Sequence, residues 1–481
     1  MLLLTQQKSV LNHQSSEKYQ GKVATYFPLF FYMKKIFTMK RTVLFFAVLL
    51  FVTTAKSQDS AFVRQTIRDL SSPAFHGRGL AFGGDSIAAD YLEKKLQELG
   101  ALPFDGKYSQ HYKFNGFAME GGISVRLGNN ELKQNVDYQF ATYSKSVKSR
   151  RLRVIEIHPA MLNNEHQMKA FCHAKKNILK SSFVYIEGAL DANKYDKTTL
   201  KNINRIHNEN VLGCRGYILG CDKFPTMSVS GNTFARDYSV IYIKDSLMKN
   251  TFDNTTFPRN KNSLGSSMDI TFNNRFFEHT ARNVAGYIKG TENPDSLYVF
   301  TAHYDHIGTM GKILYPGAHD NASGTAAVLD LVRYFRQHPP KYSVAFVFFS
   351  AEESGLFGSQ HFVKNPMFDI SKVKLLVNID MFCGGDDGLM IFNAMDEKTR
   401  DVCERFKVVN EKEKLVKEVV LRKNSPNSDH YYFSELCPAI FILSMGGEFG
   451  GYHDPFDTCE RCQIKHYDDM FRLLLHSIGL E

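Results

Sequence analysis

Beyond Asn283 the chain alternates near-continuous apolar runs with amphipathic stretches, and this alternation restricts the fold more than any other feature. The runs are Leu297–Thr301, Val344–Phe349, Leu375–Ile379 and Ala439–Leu443. Runs without a polar face suit strands buried on both sides of a mostly parallel sheet. The intervening segments, notably Ala326–Phe335 and Leu356–Val363, carry helical periodicity. Apolar strands alternating with helices specify an α/β sandwich, a mostly parallel central sheet flanked by helices. In such sheets ligands bind beyond the carboxyl ends of the strands.

Metal-binding residue types fall at those ends. His303 and Asp305 follow the first run in Thr301-Ala-His-Tyr-Asp-His-Ile-Gly308. Glu352 and Glu353 follow the second, Asp380 closes the third, and His453 follows the fourth after a glycine-rich loop. Asp320 lies in the loop Gly317-Ala-His-Asp-Asn-Ala-Ser-Gly324, before a helix. Each residue alone reads as a surface or capping group. Their joint occurrence at successive strand ends reads as a metal centre. Imidazole with carboxylate is the donor set of catalytic zinc. Two histidines and three carboxylates suit two metals sharing one carboxylate and clamping a hydroxide. A further carboxylate must take the proton of that water, so Glu352 and Glu353 can divide the work, one on the water and one on a metal.

The segments HYDH, GAHDNASG, AEESGLFGS, NIDM, SDHYYF and GYHDPFDT stand in the order found in metallopeptidase family 28. The chain from Asn283 to Ile478, with a helical lead-in from Ala61, resembles this family of co-catalytic zinc aminopeptidases, which also includes glutamate carboxypeptidase II. The resemblance implies two Zn²⁺ per chain and peptide substrates. It implies that His303, Asp380, Glu353 and His453 are terminal ligands and that Asp320 bridges. It implies Glu352 as general base and then acid, Asp305 as the residue orienting His303 from outside the ligand sphere, and Tyr452 as a support for the tetrahedral oxyanion. Asp429 and His430 fall in a motif near the substrate, where a positioning role and a structural one are both open. His319 stands at a variable position and is expected not to be a ligand. His306 is expected to shape its loop. A carboxypeptidase, a dipeptidase, a one-zinc glutaminyl cyclase and a non-catalytic binding ectodomain remain alternatives on this fold; the complete ligand set favours hydrolysis.

The rest of the chain divides by pattern. Ile87, Ala88, Tyr91, Leu92, Leu96 and Leu99 recur at helical spacing and Gly100 is a natural stop, so residues 58–115 read as the first part of the catalytic domain and 270–481 as the remainder. Between them, residues 116–269 read as a strand-rich insertion of short apolar runs, similar in placement to the protease-associated domain of some relatives. Its basic stretch Lys145–Arg153 reads as a solvated surface loop.

The formal charge of +9 does not indicate a nucleic-acid partner. Residues 1–57 hold eight basic residues and one acid, Glu17, and the remainder is nearly neutral. That basic segment contains Met39-Lys40-Arg41, the apolar run Val43–Val52 and Ala55-Lys56-Ser57, the pattern of a cleaved signal peptide over residues 39–57. Residues 1–38 then read as an upstream extension outside the natural start. Export to the periplasm or the exterior, with no membrane insertion after cleavage, is the expectation. The 8 cysteines are too few for a disulfide scaffold in a chain this long. Cys459-x-x-Cys462 is open to a local disulfide, a zinc half-site or two free thiols. Oligomeric state is not legible.

Overall fold

The computed structural model describes residues 60–157, 159–231, 236–248, 267–447 and 451–480. The expected signal segment and upstream extension lie outside the described residues. Among those described, no helix is long and apolar enough to cross a membrane.

The four apolar runs form the centre of a ten-stranded sheet. They are β1 (Asn293–His303), β2 (Tyr342–Phe349), β3 (Val373–Ile379) and β4 (Ala439–Met445). In space the order is β2-β1-β3-β4, all parallel. Both faces are covered, which explains the absence of polar alternation. On one face Phe300, Phe346 and Ile442 pack in one core with Leu329 and Val332 of helix Gly324–Gln337 and Leu474 of helix Tyr467–Ile478. On the other, Val299, Val347 and Leu376 pack with Phe362 and Phe433. Helix Gly84–Glu98 joins the first core through Ala88, Leu92 and Leu96, and Gly100 beyond it takes the left-handed φ of +76°. Glycine reaches that conformation without the steric cost of a Cβ.

A second sheet of eight strands is built from residues 124–272. Its middle is also parallel: Val147–Glu156, Ser182–Ile186, Gly216–Cys221 and Ser239–Lys244. Helices Glu165–Leu179 and Lys197–Glu209 connect these strands, where the sequence reading expected only polar turns. The reason is visible in the second helix, which buries only Thr199, Ile203, Ile206 and His207 and is otherwise polar. The basic stretch expected as a loop is also part of a strand. Val147, Leu152 and Val154 point inward while Lys148, Arg150, Arg151 and Arg153 are exposed.

The cysteine pairing differs from the three options at Cys459-x-x-Cys462. Cys462 is disulfide-bonded to Cys383, 79 residues away, and Cys459 is a buried free thiol. The bridge ties the segment after β3 to the segment after His453.

One buried group makes stability pH-dependent. His207 is 6 % exposed, and burial, aided by the Arg236 charge, lowers its pKa to about 4. The unfolded chain, with an imidazole near 6.5, therefore binds more protons than the folded one between these values. The stabilisation is complete above the unfolded pKa and is lost as pH falls through about 4. Urea unfolding should show wild type losing about 2 kcal/mol more than His207→Gln between pH 7 and pH 5. Equal losses in the two proteins would refute this account.

Candidate metal centre

Each expected ligand occupies the carboxyl end of a central strand or the loop beside it. His303 is the last residue of β1, opposite Phe349 at the end of β2. Glu352 and Glu353 follow β2, Asp380 follows β3, and His453 lies beyond β4. Asp320 is delivered by residues 318–323, which run into helix Gly324–Gln337. The turn into that loop requires glycine: Gly317 has φ +60°, and a Cβ there would collide with the Asp320 carbonyl and the His306 ring.

The five side chains converge as two groups sharing Asp320, and His306 lies within reach of the second. In the first, His303 Nε2 lies 3.1 Å from Asp380 Oδ1 and 3.4 Å from Asp320 Oδ1. In the second, His453 Nε2 lies 3.0 Å from Glu353 Oε2 and 3.2 Å from Asp320 Oδ2. One oxygen of Asp320 faces each group. All five residues are buried. His453 Nε2 makes no well-aligned hydrogen bond despite its two close carboxylates. A buried ring nitrogen without a well-aligned partner, set among carboxylates, is an atom that a bound cation would satisfy. The residues fit two divalent metals with nitrogen and oxygen ligands.

Each terminal ligand is held from behind. Asp380 Oδ2 accepts from Ser428 Oγ at 2.8 Å, Ser428 is bonded by Asn378 Nδ2 at 2.8 Å, and Asn378 Oδ1 accepts from Thr301 at 2.7 Å. His453 Nδ1 donates to the main-chain carbonyl of Met227 at 2.7 Å. That carbonyl comes from the segment between strands Gly216–Cys221 and Ser239–Lys244 of the second sheet, and nearby Gly231 N bonds Ser354 O at 3.0 Å. His303 Nδ1 is 3.1 Å from the Asp305 main-chain oxygen and 3.8 Å from its carboxylate. The Asp305 carboxylate, beside His303, also has a second task. It accepts from the amides of Glu352 and Glu353, at 3.1 and 3.3 Å, and fixes the backbone of the acidic pair.

Glu352 and Glu353 are driven in opposite directions. Burial raises the Glu352 carboxyl well above its usual range; the His303 charge opposes this and the Glu353 and Asp380 carboxylates reinforce it. Burial also acts on Glu353, but the charge of His453 close by and the hydrogen bond from His306 outweigh it and hold the group well below its usual range. Tyr452 stacks on His453 with ring centroids 3.7 Å apart and is half exposed.

Other expected residues lie apart. His430 is fully buried, packs against Phe441 and pairs with Asn424 at 3.1 Å, and burial lowers its pKa to about 3. It belongs to neither ligand group. Asp429 is buried without a well-aligned partner, and its pKa is pushed up to about 7 by burial, against the charge of His303. His319 turns from the centre toward Cys383 Sγ, 2.8 Å from Nδ1.

Three contributors escaped the sequence reading. His306, expected only to shape its loop, has Nδ1 2.8 Å from Glu353 Oε1. Asp457 accepts from the amides of His319 and Asp320, at 2.8 and 3.1 Å; its presence in GYHDPFDT was the available signal. Arg78 is fully buried and directs its donors at main-chain oxygens of Leu70, Tyr304, Pro316, Gly317 and Asp320, at 2.7–3.3 Å. Burial lowers its pKa to about 10, opposed by Asp320 and Asp457, so it stays charged at neutral pH.

Residues 283–478 match the model of Peptidase family M28. The chain is 30% identical over 195 residues to Aminopeptidase YwaD of Bacillus subtilis, covering 38% of this chain and 41% of that protein. A probable zinc metalloprotease of Pyrenophora teres f. teres is 36% identical over 103 residues, 20% of this chain and 22% of that protein. The chain thus spans less than half the length of these curated relatives. Solved structures extend the likeness in fold. A zinc aminopeptidase from Bacillus subtilis superposes with a TM-score of 0.61 at 19% identity, over 87% of this chain and 94% of the other. A peptidase M28 precursor from Shewanella amazonensis gives 0.61 at 19%, over 88% and 93%.

Arg78 offers a test of how the bridging loop is held. A guanidinium supplies five N–H donors in one plane, and an ammonium cannot reproduce that fork. Arg78→Lys keeps the charge but leaves buried carbonyls of residues 316–320 without donors. The expected result is a loss of roughly 3 kcal/mol in urea unfolding of metal-free protein, with weaker metal binding. An unchanged unfolding midpoint would show that the loop does not depend on Arg78.

Proposed function

The chain is a member of peptidase family M28, and on that premise we propose that it is an exported two-zinc aminopeptidase that removes N-terminal residues from peptides. The observation that carries the proposal is the pair of ligand groups meeting at the two oxygens of Asp320, with Glu352 and Glu353 displaced in opposite directions beside them. Neighbouring titratable groups whose environments push them apart mark a division of acid–base labour. His303 and Asp380 would hold one zinc, Glu353 and His453 the other, and Asp320 both. The metal pair supplies Lewis acidity and makes water a nucleophile at neutral pH.

The chain's own residues do the rest. Glu352 takes the proton of the attacking water and returns it to the leaving amine. Its backbone amide is held by Asp305, which fixes where its side chain starts. Tyr452, at the open side of His453, is placed to steady the oxyanion. The segment 227–231 of the second sheet reaches the centre through Met227 and Gly231 and would wall one side of the cleft, favouring peptides over folded proteins. Export rests on the pattern of Met39–Ser57.

Kinetics and zinc content on two variants test the division of roles. Glu352→Gln should retain zinc and a nearly unchanged KM on an aminoacyl substrate while kcat falls by about 10²–10⁴. Glu353→Gln should lose zinc, with partial recovery on adding the metal. Near-normal kcat in Glu352→Gln, or zinc loss in that variant instead, would overturn the assignment. Export predicts a mature N-terminus at or near Gln58; an exported protein that retains residues 1–38 would contradict it.

A further inference from the structure

We propose that His306 is a positioning residue for Glu353, fixing which carboxylate oxygen faces the metal that Glu353 shares with Asp320 and His453. The inference rests on the metal centre described above and concerns a side chain outside the five ligands.

The hydrogen bond has a definite sense. A carboxylate that binds a metal is deprotonated, and an ionised carboxylate only accepts. The proton between His306 Nδ1 and Glu353 Oε1, 2.8 Å apart, therefore sits on the imidazole. That bond occupies Oε1. The other oxygen, Oε2, is the one 3.0 Å from His453 Nε2. Glu353 is thus presented through a single oxygen, with its rotation about the last side-chain bond arrested.

Direct ligation by His306 fits the distances less well. Donor atoms around one tetrahedral zinc at 2.0–2.1 Å lie roughly 3.3 Å apart. The separations among His453, Asp320 and Glu353 are close to this, but His306 Nδ1 is 2.8 Å from Glu353 Oε1 and 3.9 Å from Asp320 Oδ2. The shorter value is a hydrogen-bond length, and the longer one exceeds the tetrahedral separation.

The ring is also placed at a cost that needs a return. His306 is 2 % exposed and its Nε2 is buried without a partner. Leaving a buried polar atom unpaired opposes folding. Packing alone would be served as well by an apolar residue. The ring is instead wedged edge-on against His453, centroids 5.5 Å apart, and over Gly317, where a Cβ would collide with it. Both neighbours keep Nδ1 on Glu353. This support differs in kind from that of His453, whose partner is the Met227 carbonyl and cannot be deleted by side-chain substitution. Glu353 is supported by a side chain, so its support can be removed alone.

The test is zinc titration of the full chain against a chromophoric chelator, comparing wild type, His306→Ala and His306→Asn. Asparagine places an amide N–H near the position of Nδ1 and should restore the bond. Wild type should take up two zinc ions. His306→Ala should bind one of the two about 10–100-fold more weakly, as removal of such outer partners does, and leave the other unchanged. His306→Asn should recover most of the loss, and circular dichroism should show all three proteins folded. X-ray absorption of the zinc-loaded wild type should give on average one imidazole per metal. Equal zinc affinity in wild type and His306→Ala overturns the proposal while leaving the two-zinc reading intact, as does a loss in His306→Ala that His306→Asn fails to recover. A higher imidazole count that drops in His306→Ala makes His306 a ligand and overturns it too. Wild type that binds no zinc overturns the metal centre and this proposal together.

Discussion

Three carboxylates, Asp320, Glu353 and Asp380, meet at one end of the central sheet with almost no contact with water. Such a cluster is unfavourable twice over, through desolvation and through mutual repulsion in a medium of low dielectric constant. Much of the surrounding structure reduces that penalty. Arg78 brings a buried cation within range of Asp320 without forming a direct ion pair, spending its donors on main-chain oxygens. His303 and His453 lie between the carboxylates, and the carboxylates raise the pKa of both imidazoles against the effect of burial. Two cations would remove the remaining repulsion, so the cluster's cost to the fold is also the source of its affinity for metal.

The sheet makes this arrangement possible. Parallel strands end at one edge, so residues far apart in sequence arrive together with their backbones already fixed. The remaining freedom lies in the loops, and it is removed by buried polar groups that bond to main chain rather than to each other. Asp457 holds the amides of His319 and Asp320, Asp305 holds those of Glu352 and Glu353, and Arg78 holds the carbonyls of Gly317 and Asp320. The Cys383–Cys462 disulfide adds a covalent tie between the segments that carry Asp380 and His453.

This division explains which parts could be read from the chain. The central strands were legible because burial on both faces leaves a run with no polar residue, as in Val344–Phe349. The candidate ligands were legible because their residue types recur at the ends of those runs. Contacts made through the main chain were not: His303-x-Asp305 reads as a ligand and its carboxylate partner, and the spacing gives no sign that the Asp305 carbonyl also meets the imidazole or that its carboxylate also holds the amides of the acidic pair. Arg78 lies more than 200 residues from most of the carbonyls it bonds. Proximity in Cys459-x-x-Cys462 concealed the longer pairing. Helix Lys197–Glu209 was missed because it packs on one narrow stripe, too short a pattern to separate from a polar turn.

The second sheet illustrates the limit most clearly. One face has a core of its own, Val184, Leu219 and Val240 with Ile203 and Ile206, while on the other Phe183, Ile218 and Ile241 share a core with Met310 and Tyr315 of the catalytic sheet. The carbonyl of Met227 sets the tautomer of His453, because an imidazole whose Nδ1 donates must present Nε2 as the lone pair. Any residue at position 227 offers the same carbonyl. What matters is the path of the chain from Cys221 to Gly231, including the bond from Gly231 to Ser354 beside the acidic pair. A change of length in this segment would displace that carbonyl, whichever side chain stands at position 227. The inserted part of the chain belongs to the metal centre through its backbone, which no motif of side chains can reveal.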